Sequence, residues 1–219
     1  MCTNFALIKS DGTAALADLL EVNQDDFLFG PDMGPGSTIS IVVDSAAGHC
    51  VLSATWWLYL QQTPAGLKPH KDYFSVNTRY DKLAKKPEYR QRRCIIPATA
   101  VVESQNGKHP HLLEPADGSA FALGGLWKEW VDNATGEQRY SASIITLPGH
   151  PALADIHRKS MPLWLPQKAY SAWLSHAITD THRFDELLSP TLRVTLKATP
   201  IDKARTKTPV GECFKVSAP

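Results

Sequence analysis

The chain has 219 residues, of which 43% are hydrophobic and 21% charged, with a net charge of +1. This composition suits a folded domain with a real core and excludes the low-complexity, collagen-like and disordered classes. No apolar run approaches the ~20 residues that span a bilayer, and no basic n-region with an apolar run opens the chain, so the expectation is a cytoplasmic protein with no membrane partner.

In chain order, Asp11-Gly12-Thr13 predicts the start of a short helix through about Val22. The stretch Gly30–Gly36, with Pro31 and Pro35, predicts a loop. Ile39–Val43 and Cys50–Leu60 predict strands, the second ended by Pro64–Pro69. Lys82–Arg92 predicts a helix interrupted near Pro87. Arg93–Glu103 predicts a strand with an edge or bulge at Pro97. Asn106-Gly107 marks a turn. His111–Leu113, Ala120–Val131 and Tyr140–Leu147 predict an antiparallel series, with Ala134-Thr135-Gly136 in its second turn. Met161–Leu165 predicts an apolar strand. Pro166 opens a helix to about His176, a further short helix covers about Thr181–Leu188, and Thr191–Ala198 closes the series as a strand. With no repeat and no linker, the expected fold is α+β: a single domain over residues 1–219, with a curved, barrel-like, mainly antiparallel β-sheet and a few short helices.

Charge is segregated. Seven acidic residues stand against Lys9 alone among residues 1–44, whereas Arg79, Lys82, Lys85, Lys86, Arg90, Arg92 and Arg93 face only Asp81 and Glu88 in residues 79–93. A second basic run holds Lys197, Lys203, Arg205 and Lys207. Such segregation suits a phosphate-binding face, and equally a solvated surface. The cysteines, Cys2, Cys50, Cys94 and Cys213, are scattered, with no C-x-x-C pair. That argues against a zinc ribbon and, in a reducing compartment, against disulfides. His109 and His111 lack further ligand spacing, so neither a metal nor another cofactor is expected.

Four places in the chain carry chemistry. Removal of Met1 leaves Cys2 with a free α-amine and a thiol two carbons apart, a 1,2-aminothiol no internal residue offers. Both groups titrate near neutrality, at about 7.7–8.0 and about 8.5. The amine can form an imine with an aldehyde, and the thiolate can close a thiazolidine on it. Glu103 ends an otherwise apolar strand, where partial desolvation raises a carboxyl toward acid/base use. His157 lies between the Pro148-Gly149 turn and an apolar strand, a fair acid/base position. Asn77-Thr78-Arg79 offers an amide that donates and accepts, and a guanidinium that grips phosphate. Each also has a plain structural reading: a frayed end, a strand-end charge, a bonded histidine, a turn asparagine.

Together the blocks resemble a known family. Met1-Cys2, Ser75-Val76-Asn77-Thr78-Arg79, Arg92-Arg93-Cys94-Ile95-Ile96-Pro97-Ala98, Glu103, Phe121-Ala122-Leu123-Gly124-Gly125-Leu126-Trp127 and Ala154-Asp155-Ile156-His157…Met161-Pro162 occur in the order seen in SOS response-associated peptidase (SRAP) proteins, the abasic-site processing family. The resemblance runs from residue 2 to about residue 200. It implies a thiazolidine DNA–protein crosslink between Cys2 and the ring-opened sugar of an abasic site in single-stranded DNA. Asn77 would position the amine and aldehyde, Glu103 would shuttle protons at the amine and assist reversal, and His157 would move a proton to the sugar-ring oxygen. Arg79 would hold a flanking phosphate. Arg92 and Arg93 belong to the expected basic face, and Trp56 and Trp57 are the expected stacking aromatics. The expected protein is a monomer, nucleoid-associated if it binds DNA. Two departures stand out: typical members begin Met-Cys-Gly-Arg where this chain has Met1-Cys2-Thr3-Asn4, and they place tryptophan after the glutamate where this chain has Ser104. Both predict a weaker grip on DNA. The rival readings are a cysteine peptidase or amidase using Cys2, with removal of Met1 as its minimal form, and a non-catalytic DNA-binding module.

Overall fold

The computed structural model describes residues 3–105 and 107–218. The elements in chain order are β1 (Phe5–Leu7), α1 (Asp11–Leu19), β2 (Gly30–Met33), β3 (Thr38–Ser45), β4 (Gly48–Trp56), β5 (Leu60–Thr63), β6 (Gly66–Pro69) and β7 (Asn77–Arg79). There follow α2 (Glu88–Gln91), β8 (Arg93–Ala98), β9 (Ala100–Gln105), β10 (Lys108–Pro115), β11 (Phe121–Val131) and β12 (Gln138–Pro148). The last are α3 (Ala154–His157), β13 (Ser160–Pro162), α4 (Tyr170–Leu174), β14 (Leu196–Pro200) and β15 (Phe214–Val216).

Strands β11, β8, β3, β4 and β12 pair in that order, and β12 pairs again with β11, so five strands close on themselves. Closure leaves no free edge among them. Most contacts are antiparallel, but β4 and β7 each run parallel to β12. A second sheet has the order β15-β14-β10-β9-β1-β2, and β5 and β6 form a separate hairpin. The barrel strands read as near-continuous apolar runs because both their faces are covered: Ile41, Val42, Ile95 and Ile96 are all fully buried. The α+β expectation with a barrel-like sheet therefore holds.

The chain passes from barrel to second sheet at Thr99. Its hydroxyl accepts from Ile8 N–H and donates to Ala6 O, and its own N–H donates to Ala6 O at 2.8 Å. The predicted single strand Arg93–Glu103 is thus two strands in two sheets. The interruption lies after Pro97, not at it. Pro97 pairs with Ala122 on one side and lies beyond the sole β3 pairing, Val42↔Ile95, on the other, where a missing N–H costs nothing.

Other expectations shift similarly. The loop at Gly30–Gly36 contains β2, which pairs with β1. Cys50–Leu60 is split into β4 and β5. The helix over Lys82–Arg92 is a 3₁₀ turn (Tyr80–Lys85) followed by α2, and the helix at Pro166 is likewise a 3₁₀ turn and α4. The β9–β10 hairpin carries Gly107 at φ 77°, while Asn106 lies outside the described residues.

Candidate active site

β9 has β1 on one side and β10 on the other. Phe5 pairs with Val101 and Ala6 with Ala100, and Val102 N–H donates to Asn4 O at 2.9 Å. This antiparallel register sets Thr3 across from Glu103. The residue before Thr3, Cys2, lies outside the described residues.

Glu103 shares a strand face with Val101, because alternate residues point the same way. That face is interior: Val101 is fully buried and Glu103 is 3% exposed. Burial pushes the Glu103 carboxyl from 4.5 up to about 7, because removing the charged form from water disfavours it. α3 lies against the end of β9. Gln105 Nε2 donates to Ala154 O at 2.7 Å, and the His157 imidazole meets Ser104 O at 2.6 Å through Nδ1. A carbonyl only accepts, so Nδ1 carries the proton and Nε2 presents its lone pair. Nε2 is 3.2 Å from Ser160 Oγ, which donates to it, and 4.0 Å from Glu103 Oε2. His157 is buried too, and desolvation lowers its pKa below the ordinary histidine value. The ring is therefore neutral at neutral pH beside a carboxyl that is half protonated there. At 4.0 Å the two groups lie beyond direct hydrogen-bonding range, so each senses the other's charge rather than sharing a proton. The loop that returns to α3 is fixed by Gly149, where a Cβ would lie 2.0 Å from Arg158 O, so no other residue fits.

Asn77 begins β7 beside Ile144 of β12. Its position is tied to the N-terminal strand through Trp56. The Phe5 ring packs edge-on against Trp56 at 5.0 Å, and Trp56 Nε1–H donates to Val76 O at 2.8 Å. The N-terminal strand thus runs between the strand of Glu103 and the residue preceding Asn77. Trp56 is fully buried and offers no face to a base. Arg93 is buried as well, its guanidinium donating to the carbonyls of Tyr89, Arg90, Trp173, Ser175 and Ile178, so no donor remains for a phosphate. Both long side chains act within the fold, contrary to the DNA-contact role expected for them.

Arg79 is exposed and paired with Asp81 at 2.8 Å. It lines a cavity of about 330 Å³ with Asn77, Lys82, Lys86, Tyr59, Tyr73 and Phe74. Tyr73 and Phe74 are 61% and 56% exposed, large rings in water beside cations. Trp57 supports them: its ring meets Phe74 at 4.9 Å and its Nε1–H donates to Tyr73 O. Arg92 lies over Trp127 and 3.6 Å from Glu129, and lines a separate cavity with Glu88 and Lys128. Sequence reasoning missed Ser160, the Ser104 carbonyl and the Tyr73–Phe74 pair. Adjacent exposed aromatics just before Ser75-Val76-Asn77 were the available signal for the last; a backbone carbonyl leaves none. The two departures also read differently in three dimensions. Asn4 is buried and donates to Asp32 Oδ1 at 2.6 Å, while residue 104 holds His157 through its backbone. His111 Nδ1 is engaged by His109 O.

Several solved structures share this fold. A Bacteroides thetaiotaomicron protein superposes with a TM-score of 0.72 at 21% identity, covering 92% of each chain. A Bordetella bronchiseptica protein gives 0.70 at 23% identity over 92% of this chain and all of its own. A phage-related protein from Bordetella bronchiseptica gives 0.64 at 17% identity, covering 92% of this chain and 95% of its own. No curated protein matches the chain. Residues 1–208 match the family described as SOS response associated peptidase, a span holding β1, β7, β9 and α3, and the chain belongs to that SRAP family.

Proposed function

We propose that the protein captures abasic sites in single-stranded DNA as a thiazolidine on Cys2. Family membership supports a role tied to the SOS response and to abasic sites. The observation that carries the finer reading is the Glu103–His157 pair, buried at the end of the strand against which the N-terminal strand lies in register. Cys2 is one Cα step, about 3.8 Å, from Thr3, the residue across from Glu103.

The chemistry follows from the proton inventory. The anomeric hydroxyl of the closed sugar gives its proton to His157 Nε2, and the imidazolium passes it to the ring oxygen as the ring opens to the aldehyde. The Cys2 amine adds to the aldehyde carbon. Glu103, protonated, delivers a proton to the departing hydroxyl, so water leaves; the resulting iminium returns its N–H proton to the Glu103 carboxylate, and an imine remains. The sulfur then closes on the same carbon, and the thiol proton ends on the nitrogen. Each general acid/base contribution is about 10²–10⁴-fold, and holding amine, thiol and aldehyde together contributes more. Asn77 orients the amine and aldehyde, and the Arg79–Lys82–Lys86 face with Tyr73 and Phe74 receives the flanking strand.

The test is a denaturing gel of protein mixed with abasic and intact oligonucleotides. Wild type is expected to give a heat-stable adduct with the abasic strand only, Cys2→Ala none, and Cys2→Ser an adduct only after borohydride. A heat-stable adduct on Cys2→Ala refutes the assignment. Cleavage of a peptide panel without any adduct would favour the peptidase reading.

A further inference from the structure

The loop 202–208 is built around one carboxylate. Asp202 accepts from Thr206 Oγ1 at 2.8 Å and from the N–H groups of Lys203 and Thr208 at 2.6 and 2.9 Å. Asp202 N–H donates to Thr208 O, and Lys207 N–H donates to Lys203 O. Within this loop Lys207 holds φ 55°, a left-handed conformation that a non-glycine residue adopts at a cost. What that conformation achieves is a contact. Lys207 Nζ lies 3.3 Å from Asp32 Oδ1, with the lysine side chain only 11% exposed. Asp32 Oδ1 also accepts the Asn4 amide at 2.6 Å. Asn4 is two residues from Cys2. The C-terminal loop is therefore pinned, through Asp32, to the strand that carries the candidate nucleophile.

The charges in this cluster do not cancel. Lys203, Arg205 and Lys207 face Asp32 and Asp202, so one positive charge is left over. Arg205 is 90% exposed, and its Nε is 3.8 Å from Asp32 Oδ2, outside hydrogen-bonding range, so its guanidinium is open to another acceptor. Lys207, by contrast, is committed to Asp32. Asp32 is held in its charged form by the Asn4 amide first, with the two cations adding to this.

We propose that loop 202–208 is a phosphate-binding arm beside the N-terminal strand: Arg205 contacts a backbone phosphate of the bound strand, and the Lys207–Asp32–Asn4 chain holds the arm against the segment that follows Cys2 in sequence. The ligand class is a phosphodiester, for which an exposed guanidinium is the suited donor. The arm rests on the reading of Cys2 as the residue that meets DNA. Arg205 acts by binding, and Lys207 is a positioning residue.

The experiment uses the full chain and separates the two ideas. Affinity for an intact single-stranded oligonucleotide is measured across a salt series, and the single-turnover adduct rate at saturating abasic oligonucleotide is measured in parallel. Arg205→Ala is expected to weaken binding and flatten the slope of log affinity against log salt by about 0.7, one single-strand phosphate contact. Lys207→Met is expected to lower the saturated rate, with Lys207→Arg restoring it. A salt slope unchanged in Arg205→Ala, or a saturated rate unchanged in Lys207→Met, overturns the arm. If wild type binds the strand with the expected slope dependence on Arg205 but forms no adduct, the arm stands and the thiazolidine chemistry fails instead.

Discussion

At the scale of single residues, the site depends on where two protons rest. Glu103 is a carboxyl whose pKa burial lifts from 4.5 to about 7, and His157 is a histidine whose Nδ1–H is committed to Ser104 O. Stability tied to the protonated Glu103 is fully present below about pH 4.5 and is lost as pH rises through about 7, because the folded chain binds a proton there that the unfolded chain releases. Glutamine mimics the protonated form and has no such loss. Glu103→Gln is therefore expected to gain stability relative to wild type between about pH 5 and pH 8, by at most about 3 kcal/mol, as read from denaturant midpoints. The same variant should slow adduct formation about 10²–10⁴-fold and leave oligonucleotide affinity nearly unchanged. Parallel stability curves for the two proteins would show that Glu103 is not desolvated as described, and equal losses in rate and affinity would make it a structural group. The sequence made Glu103 and His157 legible as candidates, since a lone carboxylate at the end of an apolar strand and a histidine after a Pro-Gly turn are visible in one dimension. It misplaced Trp56 and Arg93, because aromatic and basic side chains read as surface until their partners are known. Two carbonyls from the preceding turn and three from the distant segment Trp173–Ile178 hold Arg93, and no local pattern announces the distant three.

At the scale of elements, long alternating or apolar runs were legible and short ones were not. β3, β11 and β12 were read close to their bounds because eight to eleven residues of β-rich sequence leave little choice. β1, β7 and β15 have three residues each, too few for any period to show, and they form only because a long neighbour supplies their hydrogen bonds. β1 is nonetheless the element that lies beside the strand of Glu103. The barrel closure is a second property of pairing: nothing local says that β12 meets both β4 and β11. It does leave one trace in sequence, the Gly124-Gly125 pair. A Cβ on Gly125 would meet Ser143 O and Ile96 Cδ1 at 2.9 Å and Cys94 Sγ at 3.0 Å, where the backbone oxygen cannot yield. Gly125→Ala is expected to destabilise the fold by about 1–3 kcal/mol, measured by chemical denaturation. A midpoint equal to that of wild type would mean that β11 is free to move away from β12 at that point. Cys94, on the neighbouring strand, is fully buried and its thiol is pushed far up by desolvation, so it should stay inert to alkylation until the barrel opens.

At the scale of the whole molecule, basic and aromatic side chains gather in two places: Arg79, Lys82 and Lys86 line a cavity with Tyr73 and Phe74, and the 202–208 loop is tied through Asp32 to Asn4. The buried acid/base pair stands between strand β9 and α3. The net charge of +1 conceals this segregation, because seven acidic residues stand against Lys9 alone in the first 44 positions while eleven of the 23 basic ones fall in two separated runs. No helix among the described residues is long and apolar enough to cross a membrane. What joins these features is the claim that Cys2, freed of Met1, reacts with an aldehyde in DNA. Intact mass spectrometry of the protein after mixing with an abasic single-stranded oligonucleotide tests that claim most directly. Imine formation expels one water and thiazolidine closure expels nothing further. The expected product is therefore one species whose mass equals the chain without Met1 plus the oligonucleotide, less one water. An adduct that retains Met1, or a mixture that shows only the two unreacted masses, would contradict it.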